Sequence, residues 1–167
     1  MKRKFILILI LLTIVVNFGM IQPARAASTD VESLRQSVVA WAEGWSSGDD
    51  LFEMSRVDRL YDHSDRFLEF DTISPVSTIA KGYDNFQALW EPAMQASTHA
   101  NTTLDDNLDV ITDGKIGLTT FTFETEFTDR QSGEKFAEHA HASMVWEKQG
   151  DHWVIIHEHV SSPVREI

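Results

Sequence analysis

The segment Trp153 to Ser161 (WVIIHEHVS) places an acidic residue in an apolar pattern, and that residue, Glu158, is where chemistry would be expected first. Residues two apart on a strand share a face. The segment therefore divides into Val154, Ile156, Glu158 and Val160 on one side and Trp153, Ile155, His157, His159 and Ser161 on the other. The run before it divides in the same way, with Ala140, Ala142, Met144 and Trp146 opposed to His139, His141, Ser143 and Val145. Matching the more apolar faces puts Ala142, Met144, Ile156 and Val160 beneath whatever covers the sheet, and Glu158 with them. Loss of water raises a carboxyl's pKa and suits it to proton transfer, the arrangement by which an apolar cavity moves protons beside a carbonyl. Glu158 is the candidate general base. Asp71 is a second carboxyl at the end of an earlier strand, Tyr61 a hydroxyl donor, and Trp41, Trp90, Met144 and Ile156 apolar walls of a substrate pocket. In the alternative, Glu158 pairs with a polar group or meets water at the pocket mouth and does no chemistry.

The histidines allow two readings. His139-x-His141 and His157-x-His159 lie on neighbouring strands, and a turn near Gly150 with an odd number of residues would set His141 opposite His159. Four imidazoles on one patch could hold zinc or copper. Metal sites usually add a carboxylate and close second-layer support, so the preferred reading is a polar interface between two copies of the chain, with no metal. A register slip of one residue would exchange the two faces. His63, His99 and His152 fall near element ends and receive no role. Ser143 and Ser161 lack a nucleophile elbow, and no glycine-rich phosphate loop is present, so no cofactor is expected. The absence of cysteine excludes disulfides, thiolate metal sites and thiol nucleophiles.

Thr29-Asp30-Val31-Glu32 fits a capping box, and Val31, Leu34, Val38, Trp41, Ala42 and Trp45 follow at helical spacing up to Ser46-Ser47-Gly48. Asp49 and Asp50 could cap a second, shorter helix through Leu51, Met54, Val57, Leu60 and Tyr61. A strand at Phe67 to Asp71 and a loop lead to a third helix from Gly82 carrying Tyr83, Phe86, Leu89, Trp90 and Ala93, which Pro92 must kink or end early. Trp41, Trp45, Phe86 and Trp90 read first as core and second as a ligand platform. Four strands are then expected, Thr102 to Ile111, Lys115 to Phe127, Lys135 to Glu147 and His152 to Ser161, separated by Asp113-Gly114, Ser132-Gly133 and Gly150-Asp151. Short turns make consecutive strands antiparallel. The fold class is α+β, with N-terminal helices packed on a curved, mainly antiparallel sheet.

Trp41 to Asp49 (WAEGWSSGD), Gly82 opening the third helix, Val145-Trp146, and Trp153 to Pro163 (WVIIHEHVSSP) together resemble the SnoaL-like branch of the nuclear transport factor 2-like superfamily. That superfamily includes ketosteroid isomerase-like proteins and the calmodulin-dependent kinase association domain. The resemblance implies a cone-shaped barrel with a deep pocket between helices and sheet, and a homodimer made through the outer sheet face. It implies no single activity, because isomerases, cyclases, hydrolases and plain binding modules share the fold.

The first 26 of 167 residues read as a secretory signal peptide: Lys2 to Lys4, an apolar stretch from Phe5 to Val16, and Ala24 and Ala26 before the expected cleavage site. Residues 27–167 would form one domain, secreted or periplasmic, with no stable membrane anchor once the signal is removed. All the leader's charge is basic, so its removal would take the formal charge from −12 to −16. Such a charge argues against nucleic acid and anionic lipid as partners. A 43% apolar chain builds a real core. The expected function is binding of a small organic molecule in an apolar pocket, with cofactor-free proton-transfer isomerisation or hydration through Glu158 as its chemistry. The alternatives are a non-catalytic dimeric binding or assembly module and, behind it, a metal binder through the His139/His141/His157/His159 patch.

Overall fold

The structure, a computed structural model, describes residues 22–72 and 78–162. Most of the expected leader lies outside the described residues, and no described helix is long and apolar enough to cross a membrane. Helix α1 (Gln22–Trp45) begins before the Thr29 boundary implied by the capping box. Pro23 falls in the first turn, where its missing N–H has no intrahelical acceptor to lose, and the alanines that follow are strong helix formers, so nothing stops the helix ahead of Thr29. Its stripe of Leu34, Val38, Trp41, Ala42 and Trp45 is buried.

The expected second helix is instead a pair of 3-10 turns, Met54–Arg56 and Asp58–Leu60. Met54, Val57 and Leu60 are all buried, and their three-residue spacing is the repeat of a 3-10 helix rather than of an α-helix. Strand β1 (Leu68–Thr72) matches expectation, whereas β2 (Thr78–Lys81) occupies what read as loop. Helix α2 (Tyr83–Gln95) starts after Gly82, whose φ of 80° is the left-handed backbone that glycine adopts freely. Pro92 does not end this helix at once, since the helix runs on to Gln95. The strand expected over Thr102 to Ile111 is divided into β3 (Ser97–Leu104) and β4 (Asp109–Thr112). Asp105, Asp106 and Asn107 between them are turn formers. Both pieces pair antiparallel with β5 (Ile116–Asp129), which is followed by β6 (Lys135–Gln149) and β7 (His152–Ser161).

The strands form one sheet in the order β2-β1-β7-β6-β5-β3, with β4 also on β5. Every pairing is antiparallel except β1 with β7, where Glu69 lies opposite Glu158 and Asp71 opposite Val160. The sheet remains open, and the helices cover one face, giving the α+β cone. The inward face of β6 is as expected: Ala140, Ala142, Met144 and Trp146 are buried while His139, His141 and Ser143 are exposed.

Strand β7 departs from simple alternation. Val145 pairs with His157 but Trp146 pairs with Ile155, which leaves Ile156 as a bulge without a partner of its own. The bulge changes the phase of the strand, so Trp153 and Ile155 are buried before it and Glu158 and Val160 after it. Ile156 is only half-buried. The two-residue turn at Gly150-Asp151 and the bulge together set Ser143 opposite His159 and Ser161 opposite His141, so the His141–His159 pairing that an odd turn would give does not occur.

Candidate active site

Helix α1, helix α2 and the inward faces of β1, β3, β5 and β7 enclose a cavity of about 240 Å³. Its walls are aromatic. Trp41 meets Phe123 edge-on at 5.1 Å, and Trp45 meets Trp90 edge-on at 6.2 Å. Phe127, also in the lining, is stacked on Phe136 at 5.5 Å. Glu69, Asp71 and Glu158 also line the cavity, all with 3% exposure or less. They converge because Glu69 and Asp71 are two apart on β1, and the parallel register sets Glu69 beside Glu158 across one strand spacing. Glu138, half-buried on β6, Ser97, and Thr102 and Thr125, whose hydroxyls hydrogen-bond at 3.0 Å, complete the polar part of the lining.

Glu158 is held from behind. The Tyr61 hydroxyl donates to Glu158 Oε2 at 2.8 Å and accepts from Trp41 Nε1 at 2.9 Å and Trp45 Nε1 at 3.3 Å. Two indoles thus fix the one hydroxyl that orients the carboxyl, and all four groups are buried. Burial pushes the Glu158 carboxyl up to about 8, against the lowering effect of the Tyr61 hydrogen bond and with Asp71 raising it further. Tyr61 itself is raised well above an ordinary phenol, by burial first and the neighbouring Glu158 second. Glu69 is pushed up to about 9 by burial and by the charge of Glu158, although Trp90 Nε1 donates to its Oε1 at 2.6 Å. Its second oxygen, Oε2, is buried with no hydrogen-bond partner. Both carboxyls are thus raised towards neutral pH, the condition that suits a buried carboxyl to proton transfer.

The residues read from the sequence are thus only partly assembled here. Glu158, Asp71, Trp41 and Trp90 line the cavity. Tyr61 sits behind Glu158 rather than in the wall, and Met144, opposite Glu158 on β6, is fully buried in the core. Ile156 is carried off the lining by the bulge, and Ile155 takes the buried position. Glu69 was not among the residues read from the sequence: it alternates with Phe67 and Asp71 on one face, and one apolar partner is too weak a signal.

The histidines lie on the outer sheet face, apart from this cavity. His139 Nε2 contacts Asp105 Oδ2 at 2.7 Å, His157 Nδ1 contacts the Leu68 carbonyl at 2.9 Å, and His157 and His159 flank the Phe70 ring at 5.6 and 6.5 Å. Among the described residues no three His, Asp or Glu side chains gather as a metal site.

Known structures repeat this architecture. An NTF2-like superfamily protein from Salmonella enterica serovar Typhimurium superposes with a TM-score of 0.70 at 17% identity, over 83% of this chain and 94% of that one. A protein from Streptomyces avermitilis described as a candidate dehydratase of the NTF2-like family gives 0.67 at 18% identity, over 83% and 99%. The association domain of C. elegans CaMKII gives 0.55 at 19% identity, over 83% and 98%. At these identities the likeness is one of fold. No curated protein matches the chain in sequence. The family model for the SnoaL-like domain matches residues 34–165, and the chain belongs to that family.

Proposed function

We propose that this protein binds a small organic molecule in the aromatic cavity and transfers protons on it without a cofactor, as an isomerase or a hydratase. The observation that carries the reading is the coupled pair Glu69 and Glu158 opening into an apolar space, one of them aligned by Tyr61. Glu158, the more readily ionised of the two, is the base. Its carboxylate takes a proton from an acidified C–H or from water, while the Tyr61 O–H holds its Oε2 in place. Glu69 keeps its proton to higher pH and supplies it to the oxygen on which negative charge develops. Asp71 raises both neighbours electrostatically. The indole and phenyl walls exclude water and strengthen these interactions.

Deuterium uptake tests this directly. Small enolisable ketones and aldehydes are incubated with the protein in D2O and followed by proton NMR. The expected result is catalysed α-proton exchange that Glu158→Gln lowers by roughly 100-fold or more. Exchange unchanged in that variant, or a Glu158 carboxyl titrating near the ordinary ~4.3 by carbon NMR, would sink the reading.

The proposal extends to an exported homodimer. The outer sheet face exposes Phe70, Ile79, Ile111, Ile116 and Leu118 beside the histidine patch, and apolar side chains flanked by His and Ser suit a self-complementary contact.

A further inference from the structure

The cavity combines two features that a neutral apolar ligand does not require. Its described lining holds four carboxyl side chains and no Lys, Arg or His. The carboxyls share this lining with three indoles, Trp41, Trp45 and Trp90. Aromatic faces attract cations through their quadrupole, most strongly where water is excluded, and quaternary ammonium groups are the ligands for which such cages are best known. A third feature belongs to one of these lining residues: Glu69 Oε2 is buried with no hydrogen-bond partner. A buried polar atom left in this condition costs stability that a polar group of a ligand would recover.

Resting on the reading of this cavity as a substrate pocket, we propose that its ligands carry a positive charge, a protonated amine or quaternary ammonium seated among Trp41, Trp45 and Trp90 and facing Glu69 and Glu158. The other titratable groups around this position are Asp71 on the same strand as Glu69, the half-buried Glu138 on β6, and, behind Glu158, the Tyr61 hydroxyl. One incoming positive charge stabilises one additional carboxylate. Glu158, raised less than Glu69, gives up its proton first. Binding of the cation therefore expels about one proton, and leaves Glu158 as the ionised base with Glu69 still protonated.

The experiment is calorimetry with choline and with its neutral carbon isostere 3,3-dimethylbutan-1-ol, in buffers of different ionisation enthalpy between pH 6 and 9. Choline is expected to bind at least tenfold more tightly than the isostere and to release about one proton near pH 7. Its affinity should rise about tenfold per pH unit until Glu158 is ionised, then level off. Glu158→Gln should weaken choline at least tenfold while leaving the isostere alone, with near-ultraviolet circular dichroism confirming that the aromatic core is intact. The wild-type comparison stands even where a variant does not fold. If the isostere binds as tightly as choline, with no proton released, the inference is overturned and the small-molecule pocket survives. If neither compound binds, both fail together.

Discussion

At the residue scale the molecule is governed by two carboxyls that fold into places where they hold their protons. Glu69 and Glu158 rise to about 9 and about 8, so between the ordinary carboxyl range near 4.5 and those values the native state binds more protons than the unfolded chain. The sign follows from proton linkage: stability is greatest at the acid end of this window and falls as pH rises through it. Each carboxyl that stays protonated contributes a slope of up to roughly 1.4 kcal/mol per pH unit. Denaturant unfolding at pH 5, 6, 7 and 8 should show the decline, and Glu69→Gln should flatten it by removing one of the two contributions. A profile flat from pH 5 to 8 would contradict the assignment. Glu158 was legible in the sequence because strand alternation set it among apolar neighbours. Glu69 was not, because its alternating partners are another acid, Asp71, and a single Phe67, too few apolar residues to mark the face. Its importance comes from the parallel register with β7, which no local pattern encodes.

At the element scale the helices sit close to the sheet. A Cβ on Gly117 of β5 would overlap Leu34 Cδ2, and Leu34 on α1 is fully buried. Gly117→Ala is expected to destabilise by about 1–3 kcal/mol through overpacking, and Leu34→Ala alone by about 2–5 kcal/mol through the cavity it leaves. Because the added methyl fills space that Leu34 vacates, the double variant should be more stable than the sum of the single changes, a coupling of about 0.5–3 kcal/mol in a double-mutant cycle. Strict additivity would mean that the two groups do not meet. Long strands and the first helix were readable because their periods persist over many residues. The bulge at Ile156 was not: V-I-I-H carries no glycine or other local mark, and only the strand beside it shows where the phase changes. The 3-10 turns were misread for a related reason, since three- and four-residue spacings overlap in so short a run.

At the scale of the whole molecule, the helices protect one face of the sheet and leave the other with exposed apolar groups. Leu118 and Ile116 on β5 are 41% and 42% exposed. A homodimer through this face should give twice the monomer mass by light scattering, and Leu118→Glu should shift the population towards monomer while leaving helical circular dichroism unchanged. A wild-type protein that stays monomeric at high micromolar concentration would rule the contact out. The α+β class was readable from the order of the patterns, helices before a run of strands, whereas the closing of β1 onto β7 was not, because it joins segments far apart in sequence. That same closure governs when the molecule becomes competent. Glu69 emerges from the ribosome long before Glu158, because β2 to β6 separate in sequence the two strands that pair directly in the sheet. The loop to be closed is long, and such contacts form slowly and late. Until then two acidic side chains remain hydrated and the aromatic walls have no floor, so a nascent chain has most of its sheet before it has anywhere to hold a ligand. A ligand added during refolding should therefore leave the early folding rate unchanged and act only on the last phase, after β7 has docked.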